Sequence, residues 1–93
     1  METGKQRLDK WLWHARVVRT RTNAAALAAS GHVRINGERV KSASQPVRVG
    51  DVLTVALDRR VRLMKVLGFA DRRGDAHAAA LLFDEVNRDS PPG

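Results

Sequence analysis

The run from Gly31 to Val40, GHVRINGERV, forces the chain to reverse on itself. Asn36-Gly37 is the preferred two-residue hairpin turn, because a type I′ turn needs positive φ at both central positions. On the strand before it, Val33 and Ile35 point one way and His32 and Arg34 the other. A strand divided in this way packs on a core with one face and meets solvent or a partner with the other. Gly31 suits the C-terminal cap of a preceding alanine-rich helix. Helix must therefore give way to sheet at this point.

The same reading extends in both directions. RLDKWLWHA sets Leu8, Trp11, Leu12 and Ala15 on one helical stripe, with Asp9 in the first turn, where an acid suits the helix dipole. Lys10, Trp13 and His14 fall on the other face, where Trp13 either stacks on a base or packs beneath the C-terminal segment. A second helix runs from about Thr20 to Ser30 and buries Ala24, Leu27 and Ala28. SASQP reads as a loop, and residues 52–57, VLTVAL, as a strand with Leu53, Val55 and Leu57 on one face. Asp58-Arg59-Arg60 turns the chain into a further strand over about Val61 to Phe69, and Arg59, Arg60 and Arg62 read as a solvated loop. Asp75 then caps a last helix striped by Ala79, Leu82, Phe83 and Val86. Residues 1–6 are expected to fray, and Asp89 to Gly93 to form a tail. The expectation is an α+β fold: two N-terminal helices packed on a small, mostly antiparallel sheet, plus a C-terminal helix.

Charge now becomes informative. The chain of 93 residues has a net charge of +7, but residues 5–48 hold ten Lys/Arg against only Asp9 and Glu38, while residues 49–93 balance to zero. A surface charged only for solubility would intersperse its signs. Three of the cations, Arg16, Arg19 and Arg21, gather around the start of the second helix, beside Thr20 and with no acid nearby in the sequence. That end of a helix is already positive, so each cation there costs a few tenths to about 1 kcal/mol. An anion held by the free backbone N–H groups and the arginines would reverse the sign, and several arginines imply a phosphodiester chain. Arg34 and His32 on the outward hairpin face, with Lys41 beyond the turn, would extend this basic surface. Arg72-Arg73 precede another helix start and repeat the pattern more weakly.

Other chemistries find little support. There is no cysteine, and His14, His32 and His77 lie on different expected elements without metal-ligand spacing. No glycine-rich phosphate loop or nucleophile–base pair is present. No apolar run approaches the roughly 18 residues that span a bilayer. The expectation is a cytoplasmic, non-catalytic monomer with no cofactor, no metal, no small-molecule substrate and no membrane partner. A regulator of structured mRNA or DNA, or a basic protein-interaction adaptor, stand as alternatives.

The order Arg7-Leu8-Asp9, Thr20-Arg21 before an alanine helix, Gly31-x-Val33-x-Ile35-Asn36-Gly37 and then Gly50-Asp51 resembles the RNA-binding domain named for small-subunit ribosomal protein S4. LDKWLWHAR and RRGDAHAAALLFDE further resemble the heat shock protein 15 family, so the similarity covers about residues 7–86. The resemblance implies the alpha-L RNA-binding motif over 7–57, a strand-and-helix extension of the same domain over 58–88, and a tail over 89–93. It implies binding to ribosomal RNA and tRNA on a large ribosomal subunit still carrying peptidyl-tRNA. It places RNA contacts on Arg7, Lys10, Arg16, Arg19, Thr20, Arg21 and Arg34. Longer members end in a very basic extension, which the neutral Pro91-Pro92-Gly93 does not match, and Phe83 stands where the family often has Tyr.

Overall fold

In the computed structural model of the chain, the reversal falls at Asn36-Gly37, with φ of +52° and +88°. The hairpin strands are β2 (Val33–Ile35) and β3 (Glu38–Arg39). Residues 4–57 and 59–86 are described by the structure. Ahead of the hairpin come β1 (Lys5–Arg7), α1 (Leu8–His14) and α2 (Arg21–Ala29). After it follow β4 (Pro46–Arg48), β5 (Val52–Ala56), β6 (Val61–Val66), α3 (Ala76–Ala80) and β7 (Phe83–Val86). The fold is α+β. A five-stranded antiparallel sheet, in the order β3-β2-β5-β6-β7, presents one face to the helices, and β1 pairs with β4 in a separate two-stranded sheet.

Local chemistry explains the first half. The Thr20 Oγ1 accepts the Asn23 N–H at 3.0 Å and so caps α2, which stops where Gly31 takes φ +89°. α2 has small Ala24 and Ala28 fully buried, which lets it lie close to α1. Leu8, Trp11 and Leu12 of α1 are fully buried among Val33, Leu53, Val55, Met64 and Val66 from the sheet. Leu27, expected in the core, is only half-buried at its margin.

The structure departs from the sequence expectation in three further places. Residues 5–7 do not fray: they form β1 and pair with a strand beginning at Pro46, inside the stretch read as a loop. β6 ends at Val66 instead of Phe69, as the chain turns to bring the Gly68 carbonyl onto the Trp11 indole N–H at 3.0 Å. The last helix is one short turn, and Phe83 and Val86 belong to a strand. The exposed edge of β6 accounts for this. Pairing residues 83–86 with residues 63–66 satisfies backbone groups that a marginal helix would leave open, and puts Phe83 edge-on against Trp11 at 6.1 Å. Arg62, read as part of a solvated loop, covers Phe83 and binds both oxygens of Glu85 at 2.7 Å. The tail over 89–93 lies outside the described residues.

Candidate nucleic-acid interface

α1 begins without a side-chain cap, and Asp9 in its first turn takes up the local backbone: Oδ1 accepts the Lys10 N–H at 2.7 Å. The same carboxylate binds Arg7 through two hydrogen bonds, at 3.1 and 2.8 Å, and lies 3.7 Å from Arg21 at the start of α2. Asp9 is almost fully buried, whereas the Arg7 and Arg21 side chains are about half exposed. The Arg7 hydrogen bond holds the Asp9 carboxyl below its ordinary range against the opposing effect of burial; the Lys10 N–H and the charges of Arg7 and Arg21 reinforce it. Asp9 in turn raises the Arg7 guanidinium. Cations at the head of α2 thus do have an acid beside them, correcting the reading from sequence. A single buried carboxylate orients two arginines while their outer edges stay open to an anion.

The other end of α1 is built differently. Arg16 N–H donates to the Trp13 carbonyl and Val17 N–H to the Leu12 carbonyl, closing the helix in a Schellman arrangement with Arg16 at φ +61°. Arg16 Nη1 donates to the Gly74 carbonyl at 2.8 Å. Arg73 donates to the Trp13 carbonyl at 3.2 Å and sits 6.0 Å over the Trp13 ring. Trp13 therefore packs beneath the C-terminal segment. Arg72 and Arg73 separate in role: Arg72 is exposed and Arg73 is turned inward.

Between the two ends lies His14, fully buried with Nδ1 unpartnered. Burial lowers its pKa below 6.5, and the positive charges of Lys10 and Arg21 act in the same direction; the Ala70 carbonyl and Asp71 oppose them. Gln6 also donates to the Ala70 carbonyl, at 2.9 Å.

In the sheets, like charges face one another. Arg34 is directly opposite Arg39, and Lys5 directly opposite Arg48. All four are exposed, and none makes an ion pair among the described residues. Directly opposed like charges destabilise a strand pair by up to about 1 kcal/mol, a penalty that a phosphate lying across them would reverse. Lys5, Arg39 and Arg48 were missed from the sequence. Counting outward from Asn36-Gly37 puts Arg34 opposite Arg39, so that signal was available; the β1–β4 pairing had no local signal. Asp51 is occupied with architecture: it accepts from Asn36 Nδ2 at 3.0 Å and from the Arg48 N–H at 2.9 Å, tying the hairpin turn to the start of β5.

Of the residues singled out from the sequence, Arg7 and Arg21 come together around Asp9 through their side chains and Lys10 through its backbone N–H, next to the cap Thr20. Arg19 is exposed just before that cap, and His32, Arg34 and Lys41 are exposed along the hairpin. Arg16 and Arg73 meet at the far end of α1. Among the described residues no group of three or more His, Cys, Asp or Glu is placed to hold a metal ion, and no helix is long and apolar enough to cross a membrane.

The family model for the S4 domain matches residues 6–53, the stretch that includes the Asp9 cluster and the hairpin. The heat shock protein 15 homolog of Haemophilus influenzae is 40% identical over 80 residues, covering 86% of this chain and 60% of that protein. The RQC P-site tRNA stabilizing factor of Streptococcus pneumoniae is 33% identical over 75 residues, covering 81% of this chain and 84% of that one. The trimeric structure of Vibrio cholerae heat shock protein 15 superposes with a TM-score of 0.81 at 34% identity, covering 88% of this chain and 82% of that chain. The chain spans about 60% of the length of the curated heat shock protein 15 relative it matches.

Proposed function

The chain belongs to the S4 domain family and is similar to heat shock protein 15, and from that premise we propose that it is a non-catalytic RNA-binding protein acting in ribosome quality control. Its targets in this reading are ribosomal RNA and tRNA on a large ribosomal subunit blocked with peptidyl-tRNA, in the cytoplasm. The observation that supports it most is the opposition of Arg34 to Arg39 and of Lys5 to Arg48, none of them in an ion pair among the described residues. A protein that met only water would gain by changing one member of each pair. A polyanion makes the arrangement favourable.

The RNA-contacting residues of this proposal are Arg7, Lys10, Arg19, Thr20, Arg21, His32, Arg34 and Lys41, joined by Lys5, Arg39 and Arg48. Arg72 supplies a separate contact beyond the hairpin half of the chain. Arg16 and Arg73 contribute charge while their N–H groups hold the C-terminal segment against α1. Phosphate contacts position the protein, and selectivity for the blocked particle comes from the second contact.

Sedimentation of the protein with purified large subunits, empty or blocked with peptidyl-tRNA, tests this reading. The expected result is preferential recovery with blocked particles, a preference narrowed by Arg72→Gln. Binding to naked ribosomal RNA should fall with salt, with a log–log slope of about −0.7 to −0.9 per phosphate, and the Arg34→Gln/Arg39→Gln pair should flatten that slope by about 1.5. Equal recovery on both particles removes the quality-control assignment. A flat salt response removes the RNA reading.

A further inference from the structure

A groove of about 530 Å³ lies between the C-terminal half of α2 and the β5–β6 connection, lined by Leu27, His32, Ala56, Leu57, Arg59 and Arg60. We propose that this groove takes an unpaired nucleotide of the bound RNA, its base against Leu27, Ala56 and Leu57 and its flanking phosphates on Arg59 and Arg60. The proposal rests on the RNA-binding reading and extends it to the class of RNA: a duplex or folded element with a single-stranded flank.

The lining divides by chemistry. Leu27, Ala56 and Leu57 are half-buried and give an apolar floor; His32, Arg59 and Arg60 are exposed and form a basic rim. Neither arginine enters an ion pair among the described residues: Arg62 close by in sequence holds Glu85 by direct contact, and Arg60 acts on that carboxylate only through its charge. The Leu57 N–H donates to the Arg60 carbonyl at 2.8 Å, which fixes Arg60 beside the apolar floor. The volume falls in the range of about 300–1,000 Å³ typical of sites for small organic groups. An aliphatic floor with guanidinium groups at its edge fits a heterocycle attached to a phosphodiester, because arginine planes stack on unpaired bases as well as pairing with phosphate.

Continuity with the hairpin identifies the occupant. His32 and Arg34 project from the same face of the strand leading into the turn, and the Ala56 N–H donates to the His32 carbonyl at 2.9 Å. A strand crossing Arg34 and Arg39 therefore reaches the groove by way of His32. Only an unstacked base can enter it. Apolar surface, the His32 ring and the guanidinium planes meet the face of a base and not its edge, so the site tolerates any base and contributes affinity without reading sequence.

The test compares an RNA hairpin with blunt ends and the same hairpin carrying a short uridine overhang, by fluorescence anisotropy across a salt series. Wild type is expected to bind the overhang probe roughly three- to tenfold more tightly, with a salt slope steeper by about 1.4 for two added phosphates. Arg59→Gln/Arg60→Gln should remove both differences and leave blunt-probe affinity within about twofold. A 4-thiouridine in the overhang should crosslink to the peptide containing Ala56 and Leu57. Equal affinity of wild type for the two probes, or an overhang preference that survives the double substitution, overturns the groove assignment and leaves the RNA reading standing. Stronger competition by an acidic peptide than by free oligouridine, lost in the double variant, also overturns it in favour of a protein ligand. Binding to neither probe overturns both readings.

Discussion

The two ends of α1 use the same residue type in opposite ways. At the first end, Asp9 draws Arg7 and Arg21 onto a buried carboxylate. At the second, Arg16 and Arg73 donate to the carbonyls of Gly74 and Trp13. A carboxylate orients a guanidinium strongly but cancels part of its charge. A carbonyl orients it more weakly and leaves the full charge in place. The first arrangement thus fixes the direction of two guanidinium groups, and the second docks the C-terminal segment while keeping its charge.

Trp11 stands between the two ends, fully buried, and its indole N–H binds the Gly68 carbonyl while its ring meets Phe83. Trp11→Ala should be the most damaging single change, at about 3–5 kcal/mol. For a domain of this size that lowers Tm by more than about 12 °C. Thermal unfolding followed by circular dichroism measures it, and a shift below about 5 °C would mean the C-terminal segment is held chiefly by the Arg16 and Arg73 contacts.

Asp9→Asn attacks the first end alone. The arginines remain solvated after the change, so the loss should sit near the low side for a charge-assisted hydrogen bond, about 1–2 kcal/mol. Arg7 and Arg21 then lose their fixed orientation, and RNA affinity should fall even though the net charge rises by one. The pH dependence identifies the cause. A carboxyl whose folded pKa is depressed stabilises the fold above its unfolded value of 3.8 and loses that contribution as pH falls through the folded value. Glu85 is likewise held below its ordinary range, by the Arg62 hydrogen bond. The difference between wild type and Asp9→Asn isolates Asp9, and it should close below about pH 4. A gap that stays constant into strong acid would assign the loss to packing.

His14 offers a smaller effect in a separate window. Its folded pKa lies below 6.5, so its neutral form contributes stability that is complete above 6.5 and declines as pH falls from there toward the folded value. His14→Gln should remove this part of the pH profile. Bound RNA should oppose it, since phosphate near Lys10 and Arg21 screens the charges that help hold the imidazole neutral. A denaturation midpoint in wild type that does not change between pH 7 and 5 contradicts the assignment.

What the sequence revealed follows the range of the forces involved. The start of α2 at Thr20, the stop at Gly31 and the turn at Asn36-Gly37 each depend on residues a few positions apart, and each was legible. The core stripe of α1 was legible by periodicity. Asp9 meeting Arg21, β1 meeting β4 and Arg73 meeting Trp13 are contacts between segments that local pattern does not link. The switch of residues 83–86 from helix to strand belongs with them: Ala79, Leu82, Phe83 and Val86 satisfy a helical stripe, and only the open edge of β6 decides otherwise. For the candidate site, the basic half of the chain was visible while the carboxylate that organises it was read as a helix-dipole partner alone.

The smallest expected effect separates conformation from charge at the second end of α1. Arg16 occupies the left-handed region at the position where helices favour glycine. That conformation costs a non-glycine residue about 1 kcal/mol, and the exposed bond to the Gly74 carbonyl offsets only roughly half of it. Arg16→Ala should lose the bond and keep the strain, lowering stability by about 0.5 kcal/mol. Arg16→Gly should lose the bond and relieve the strain, ending about 1 kcal/mol above the alanine variant and slightly above wild type. RNA affinity should fall by the same factor in both, because both lack the guanidinium. Chemical denaturation gives the first comparison and RNA titration the second. If the glycine variant is no more stable than the alanine variant, the left-handed turn at Arg16 is not strained. If the two differ in RNA affinity, the closing turn of α1 shapes the interface beyond the charge it presents.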